Sequence, residues 1–144
     1  MLQKLRQRMG REEGFTLVEL LVVMLILGLL AAIAIPSFFN QRDKARDADA
    51  KAAVRTAQTA METYATDNSG SYTGATAALL EGIEETLTDA TLNAPTVTDD
   101  TYTVSVTSDT TNVFSISRDA AGATTQTCTA TGEAGCPSDG NWGD

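Results

Sequence analysis

Histidine is absent from this chain of 144 residues, cysteine occurs twice and proline three times. Without histidine the chain lacks the commonest general base and the commonest metal ligand, which argues against most hydrolytic and zinc chemistry. No nucleophile paired with a base is recognisable in the remaining sequence. These absences argue against an enzyme and against a bound cofactor. The length allows one small domain and an anchoring or targeting segment.

Basic side chains are scarce in the C-terminal part of the chain. Beyond Arg55 only Arg118 is basic, whereas the same stretch carries thirteen Asp and Glu residues. A surface of that sign repels the phosphate backbone of DNA and RNA. We therefore expect no nucleic acid to bind the C-terminal part.

The two cysteines, Cys128 and Cys136, lie near the C-terminus with seven residues between them. Their spacing differs from CxxC, and two thiols alone do not form a tetrahedral metal site. In an exported chain an even number of cysteines predicts a disulfide. The alternative is a pair of buried, reduced thiols in a cytosolic protein.

One long apolar run stands near the N-terminus. Every residue from Leu20 to Ile35 is apolar or glycine. With the preceding residues from Phe15, the run is about 31 Å long as a helix, which matches a hydrocarbon core of roughly 30 Å. Four bases precede the run and five follow it, so the positive-inside rule leaves its orientation open. The predicted disulfide favours an external C-terminal part.

Three simpler explanations of this run compete with a functional membrane span, and the sequence gives an objection to each. A cleavable signal peptide would use Ala32-Ile33-Ala34 as its cut site, but its apolar region is usually shorter. A lipoprotein signal would need a cysteine at the end of the run, where there is none. A plain signal anchor leaves Glu19 unexplained, although an acid inside a membrane span is costly and usually marks function.

The segment GFTLVELLVVMLILGLLAAIAIPSFF, residues 14–39, resembles the N-terminus of a type IV prepilin or of a type II secretion pseudopilin. A basic leader ends in Gly14, Phe15 follows, Glu19 comes four residues later and Pro36 closes the apolar run. The resemblance extends to about residue 65. Beyond residue 70 it is limited to strands followed by a cysteine pair.

This resemblance implies a processing and assembly sequence. A prepilin peptidase would cut between Gly14 and Phe15 and methylate the new Phe15 amine. The remaining chain would wait in the membrane until an inner-membrane platform, driven by an assembly ATPase, adds it to an extracellular helical homopolymer. Gly28 and Pro36 match positions where the first helix of related pilins bends, and both residues weaken a helix.

The resemblance also suggests a role for Glu19. Cleavage creates an ammonium at Phe15, and methylation keeps its positive charge. A carboxylate in a bundle of apolar helices is poorly solvated, and the Phe15 ammonium of a neighbouring subunit can neutralise it. Glu19 is then an assembly-register residue, because only one stagger of the subunits leaves neither charge unpaired.

The remaining sequence predicts an α+β fold, with a long N-terminal helix packed on an antiparallel sheet of about three strands. We assign residues 1–14 to the leader, 15–36 to the transmembrane and assembly helix and 37–67 to an amphipathic helix. Residues 68–144 complete a globular domain, the head, with a connector, strands and a cysteine loop. The apolar stripe of the amphipathic helix consists of Ala53, Ala57, Ala60, Met61 and Tyr64. The strands are predicted at YTVSVT, VFSIS and TTQTCTAT.

Two charged features have alternative interpretations. Residues 42–51 mix acids and bases and include Asp47, which indicates a solvated face or inter-subunit pairing. Asp99 and Asp100 are candidate calcium ligands, but no EF-hand spacing accompanies them, and a solvated acidic turn is the alternative.

We therefore predict a type IV pilin-like structural subunit of an extracellular filament, with adhesion, motility or DNA uptake as downstream tasks. A pseudopilin of a secretion or competence system is the nearest alternative. A membrane-anchored binding module is the alternative from another functional class.

Overall fold

The computed structural model describes residues 14–143. The chain divides into two compact units, of which the first ends at Phe38 and the second begins at Phe39. We use the name head for this second unit. The predicted leader, apart from Gly14, lies outside the described residues.

The elements follow one another as a long helix, a connector and a sheet. Helix α1 covers Leu17–Asp67, helix α2 covers Ala77–Ile83 and a 3₁₀ helix covers Glu85–Asp89. The strands are β1 (Thr91–Leu92), β2 (Thr96–Val97), β3 (Tyr102–Thr107), β4 (Val113–Arg118) and β5 (Thr124–Cys128). The α+β prediction is confirmed.

The sheet of the head is antiparallel throughout. Its order is β1-β3-β4-β5, and β2 pairs with another part of β3. Val104 stands opposite Ile116 in the β3–β4 register, and both side chains are completely buried. Alternate residues of these strands face the core, which gives one apolar and one polar face.

Helix α1 covers the apolar face of the sheet with small side chains. Its buried positions include Val54, Ala57 and Met61, which form one cluster with the buried residues of the strands. Of the predicted stripe, Ala53 and Tyr64 are only partly buried. The centre of the buried stripe instead runs through Ala50, Val54, Ala57, Met61 and Ala65.

The connector contains one α-helix, one 3₁₀ helix and two short strands. Thr76 caps α2 by accepting a hydrogen bond from the Leu79 amide. The two short strands β1 and β2 were not predicted, and the sheet therefore has five strands rather than three. Each short strand has only two residues. Such a stretch is too short to show the alternation by which a strand is recognised.

The C-terminal tail folds back onto the sheet. Cys128 at the end of β5 forms a disulfide with Cys136, as the cysteine count predicted, and their Cα atoms are 5.8 Å apart. Trp142 is buried with its ring centroid 5.9 Å from that of Phe114, and its indole Nε1 donates to the Thr127 carbonyl at 2.8 Å. The tail thus closes one end of the core.

Candidate functional site

The predicted cleavage point lies immediately before helix α1. Gly14, Phe15 and Thr16 are not helical, and the helix begins at Leu17. Thr16 starts the helix, because its Oγ1 accepts a hydrogen bond from the Glu19 amide at 3.2 Å. A side-chain methyl at Gly14 would meet no atom within 4 Å. The Gly14–Phe15 peptide therefore lies outside the helix, and cleavage there stays a prediction.

The N-terminal part of the helix, from Leu17 to Ile35, is apolar and mostly exposed. Among residues 14–143, all but two of the exposed large apolar side chains lie between Phe15 and Phe39. The two exceptions are Leu79 and Ile83. Exposed apolar surface of this extent favours contact with another apolar partner, either lipid or other copies of the helix.

The same helix is apolar enough to cross a membrane. Within α1 an 18-residue window has a mean hydropathy of 2.9, and none of the window is buried. Glu19 is the only acid in its first turn. Gly28 and Pro36 both lie inside the helix, and their role as bend points stays a prediction.

Asp47 is an exception to the solvated face expected of residues 42–51, of which Arg42, Lys44 and Asp49 are exposed. Its side chain is completely buried in the head. It accepts hydrogen bonds from Thr110 Oγ1, from Asn112 Nδ2 at 3.4 Å and from the Gly135 amide at 2.9 Å. Burial alone would raise the pKa of Asp47, but hydrogen bonds from Thr110, Ser108, Gly135 and Asn112 outweigh it and hold the pKa below its usual value.

A helical register would have placed Asp47 correctly. Asp47 lies three residues before Ala50 and seven before Val54, on the buried stripe of α1. Its charge instead suggested a solvated position. The sequence did not single out Gly135 either. A Cβ atom at this position would lie only 2.6 Å from Asp47 Cβ.

A second carboxylate binds two tyrosines at another part of the head. Glu62 accepts hydrogen bonds from Tyr72 Oη at 2.8 Å and Tyr102 Oη at 2.9 Å, and Arg118 Nη1 lies 3.6 Å from Glu62 Oε1. The tyrosine rings meet edge to face with centroids 4.8 Å apart. Burial, and then the Glu62 hydrogen bonds, raise the pKa of both tyrosines.

Of the two calcium candidates, Asp99 accepts hydrogen bonds from hydroxyl groups of the turn after α1. Asp99 Oδ1 accepts hydrogen bonds from Ser71 Oγ at 2.9 Å and Thr73 Oγ1 at 2.7 Å. These two hydrogen bonds hold the pKa of Asp99 below its usual value. In the described part of the chain, no three acids, cysteines or histidines come together as metal ligands. Asp99 instead fixes the turn after α1.

In the comparison with known proteins, two family models match different parts of the chain. Residues 9–35 match the prokaryotic N-terminal methylation motif. Residues 36–132 match the family described as type IV minor pilin ComP, DNA uptake sequence receptor. The chain belongs to this type IV pilin family. The predicted relationship to type IV prepilins and pseudopilins is thereby confirmed. Pilins and pseudopilins are structural subunits, which confirms that the chain is not an enzyme.

Individual relatives include both pilins and a secretion component. The chain is 41% identical over 54 residues to the type IV major pilin protein PilA of Myxococcus xanthus. It is 38% identical over 86 residues to the type IV wide pilus major component PilA4 of Thermus thermophilus. It is 38% identical over 58 residues to type II secretion system core protein G of Pseudomonas aeruginosa.

These matches cover the relatives only partly. The alignments include 38%, 59% and 40% of this pilin and 24%, 65% and 41% of the respective relatives. No solved structure matches the chain.

Proposed function

We propose that this pilin is a structural subunit of an extracellular filament, cut between Gly14 and Phe15 and polymerised through its N-terminal helix. The observation that carries the proposal is the exposed apolar surface from Phe15 to Ile35, in a segment that matches the methylation motif. Such surface needs lipid before assembly and neighbouring helices after it.

Processing is the first step of this function. A prepilin peptidase removes the leader from the irregular backbone ahead of Leu17 and methylates the Phe15 amine. The remaining helix anchors the subunit as a single span, and the head stays outside the cytoplasm, where its disulfide is stable. An inner-membrane platform with an assembly ATPase then extracts the subunit into the filament.

Glu19 sets the stagger between neighbouring subunits. In a filament core made of these helices, its carboxylate leaves water and requires a cationic partner. The methylated Phe15 ammonium of a neighbour supplies that charge. Subunits in any other stagger leave both charges unpaired, at a cost of about 3–5 kcal/mol per site.

A pseudopilin role in secretion or competence is the alternative. It is favoured by the 38% identity over 58 residues to secretion protein G. Both roles use the same cleavage, anchoring and polymerisation, and they differ in the length and task of the filament.

The DNA receptor in the family's description is not proposed for this chain. The head carries six bases against sixteen acids, and five of those bases lie on α1 between Arg42 and Arg55. One of the five, Lys51, already donates to the Gly135 carbonyl at 2.6 Å. A head with this excess of acids repels a phosphate backbone.

The test is replacement of Glu19 by valine. The variant is more apolar, so it should insert into the membrane and be cut after Gly14. Filaments should be absent or strongly reduced, because the Phe15 ammonium enters the core without its partner. Electron microscopy of sheared filaments measures assembly, and immunoblots measure the processed subunit.

A double variant, Val18→Glu with Glu19→Val, separates the position of the carboxylate from its presence. It keeps one carboxylate in the segment but turns it by about 100° around the helix. If register matters, this variant also fails to assemble. Normal filaments from either variant would remove the role assigned to Glu19.

A further inference from the structure

Two oppositely charged residues on α1 hold both polar backbone groups of Gly135. Asp47 Oδ2 accepts a hydrogen bond from the Gly135 amide at 2.9 Å. Lys51, one turn further along the helix, donates from Nζ to the Gly135 carbonyl at 2.6 Å. A side chain at position 135 would come within 2.6 Å of Asp47 Cβ, so only glycine fits this position. We call Asp47, Lys51 and Gly135 the glycine clamp.

The surroundings fix both charged side chains of the glycine clamp. Asp47 is completely buried and has further donors in Thr110 and Asn112. The Lys51 Nζ lies 5.4 Å from the centroid of Phe114 and 5.8 Å from that of Trp142. The Asp47 carboxylate and the Lys51 ammonium make charge-assisted hydrogen bonds to Gly135, which are stronger than hydrogen bonds between neutral groups.

The clamped residue immediately precedes Cys136. The opposite end of the loop is held by Asn112, whose Oδ1 accepts from the Thr129 and Ala130 amides at 3.2 and 3.0 Å. Within the loop, the Cys136 amide donates to the Glu133 carbonyl at 2.9 Å. The loop between the two cysteines is therefore held at both ends by non-covalent contacts.

We propose that the glycine clamp is a positioning site for disulfide formation, which docks the loop on α1 and brings Cys136 next to Cys128 before the disulfide closes. Asp47 and Lys51 act as positioning residues in this step. The loop then keeps its place in the reduced head, and the disulfide locks an arrangement that the helix has already selected.

The chemistry that the clamp assists is thiol–disulfide exchange with an external disulfide. One protein thiolate attacks glutathione disulfide, which forms a mixed disulfide and releases one glutathione. The second protein thiolate attacks the protein sulfur of the mixed disulfide and releases the second glutathione. Two electrons pass from the protein sulfurs to glutathione, and two protons follow to the released thiols. The glycine clamp accelerates the second step, because it keeps the second thiolate near the mixed disulfide.

The experiment measures the equilibrium between the reduced and oxidised full chain in detergent with glutathione buffers. Thiols are trapped by alkylation and counted by mass spectrometry, which gives the effective concentration of the cysteine pair. Lys51→Met keeps the apolar stem but removes the donor, and Asp47→Asn removes the charge. Glu62→Gln is the matched control, because it weakens the head without contacting the loop.

We expect the effective concentration to fall about tenfold or more in each clamp variant, as loss of a hydrogen bond to a charged group implies. It should change less than twofold in Glu62→Gln. Trp142 is the only tryptophan, and its emission should change little when the wild-type disulfide is reduced. If the oxidised Asp47→Asn variant has the Trp142 emission of an unfolded chain, this variant does not fold. The Lys51→Met variant then decides the test.

Three results would overturn the proposal. Clamp variants within twofold of wild type would show that the loop needs no help from α1. An equal fall in Glu62→Gln would assign the effect to general stability. An unfolded-type Trp142 emission in the reduced wild type would show that the disulfide itself places the loop.

Discussion

Replacement of Glu62 should destabilise the head because two buried tyrosine hydroxyls share its carboxylate. Tyr102 and Tyr72 are 2% and 4% exposed, and their hydroxyls donate to Glu62 at 2.9 and 2.8 Å. A hydrogen bond to a charged group contributes about 1.5–3 kcal/mol, and a buried donor without an acceptor costs about 1–3 kcal/mol. The Arg118 pair adds little, because the Glu62 side chain is 41% exposed.

From these contacts we expect Glu62→Ala to lower the free energy of unfolding by about 3 kcal/mol. Glu62→Gln should cost less, since an amide oxygen still accepts one of the two hydroxyls. The control is Glu81→Ala on α2, which should stay within about 0.5 kcal/mol of wild type. Urea unfolding of the head, followed by Trp142 fluorescence, measures these differences.

A double-mutant cycle separates the hydrogen bond from the packing of the ring. Tyr102→Phe keeps the ring and removes the hydroxyl, and its coupling to Glu62→Gln should be about 1 kcal/mol. If Glu62→Ala and the Glu81→Ala control have the same free energy of unfolding, the carboxylate of Glu62 does not stabilise the head. Zero coupling in the cycle would show that the hydroxyl bond contributes nothing net.

Three further predictions concern processing, acid stability and partners. Mass spectrometry of the mature chain should find a methylated Phe15 at the N-terminus, and an N-terminus at Ile35 would contradict the pilin processing. The folded pKa of Asp47 is lowered, so its stabilisation is present above the unfolded pKa near 3.8 and is lost as pH falls through the folded pKa. Asp47→Asn should therefore reduce the decline of the urea midpoint below pH 4, and an unchanged decline would exclude this carboxylate. A chain lacking residues 1–42 should be a soluble, folded monomer. At physiological salt it should not shift a DNA duplex on gels. A shift that added salt abolishes would show electrostatic DNA binding and contradict the charge argument.

The N-terminal segment was readable from the sequence because its properties are local. The length of the apolar run, the glycine before Phe15 and the acid at Glu19 all lie within one short segment of the sequence. No tertiary contact is needed to recognise them. The alternation of Tyr102, Val104 and Val106 was readable for the same reason, since a strand shows its buried face every second residue.

The interior of the head depended on contacts between distant residues. Asp47 looks like a member of a charged surface until the turn before β4 and the cysteine loop bring Thr110 and Gly135 to it. Charge type alone predicted solvent, whereas burial with several donors makes an interior carboxylate acceptable. The short strands β1 and β2 were also decided by pairing with β3, because two residues carry no periodic signal.

The sequence by itself thus determined the class of the protein, its predicted processing point, the helix that is apolar enough to span a membrane and the strands of the main hairpin. Only the tertiary structure decided which partners the structural charges bind. Glu62 and Asp47 both lie on α1, and they are separated in sequence from their tyrosine, threonine and glycine partners by up to 88 residues. A hydrogen bond across that distance exists only once the sheet has packed on the helix, since local pattern carries no information about which polar groups will meet.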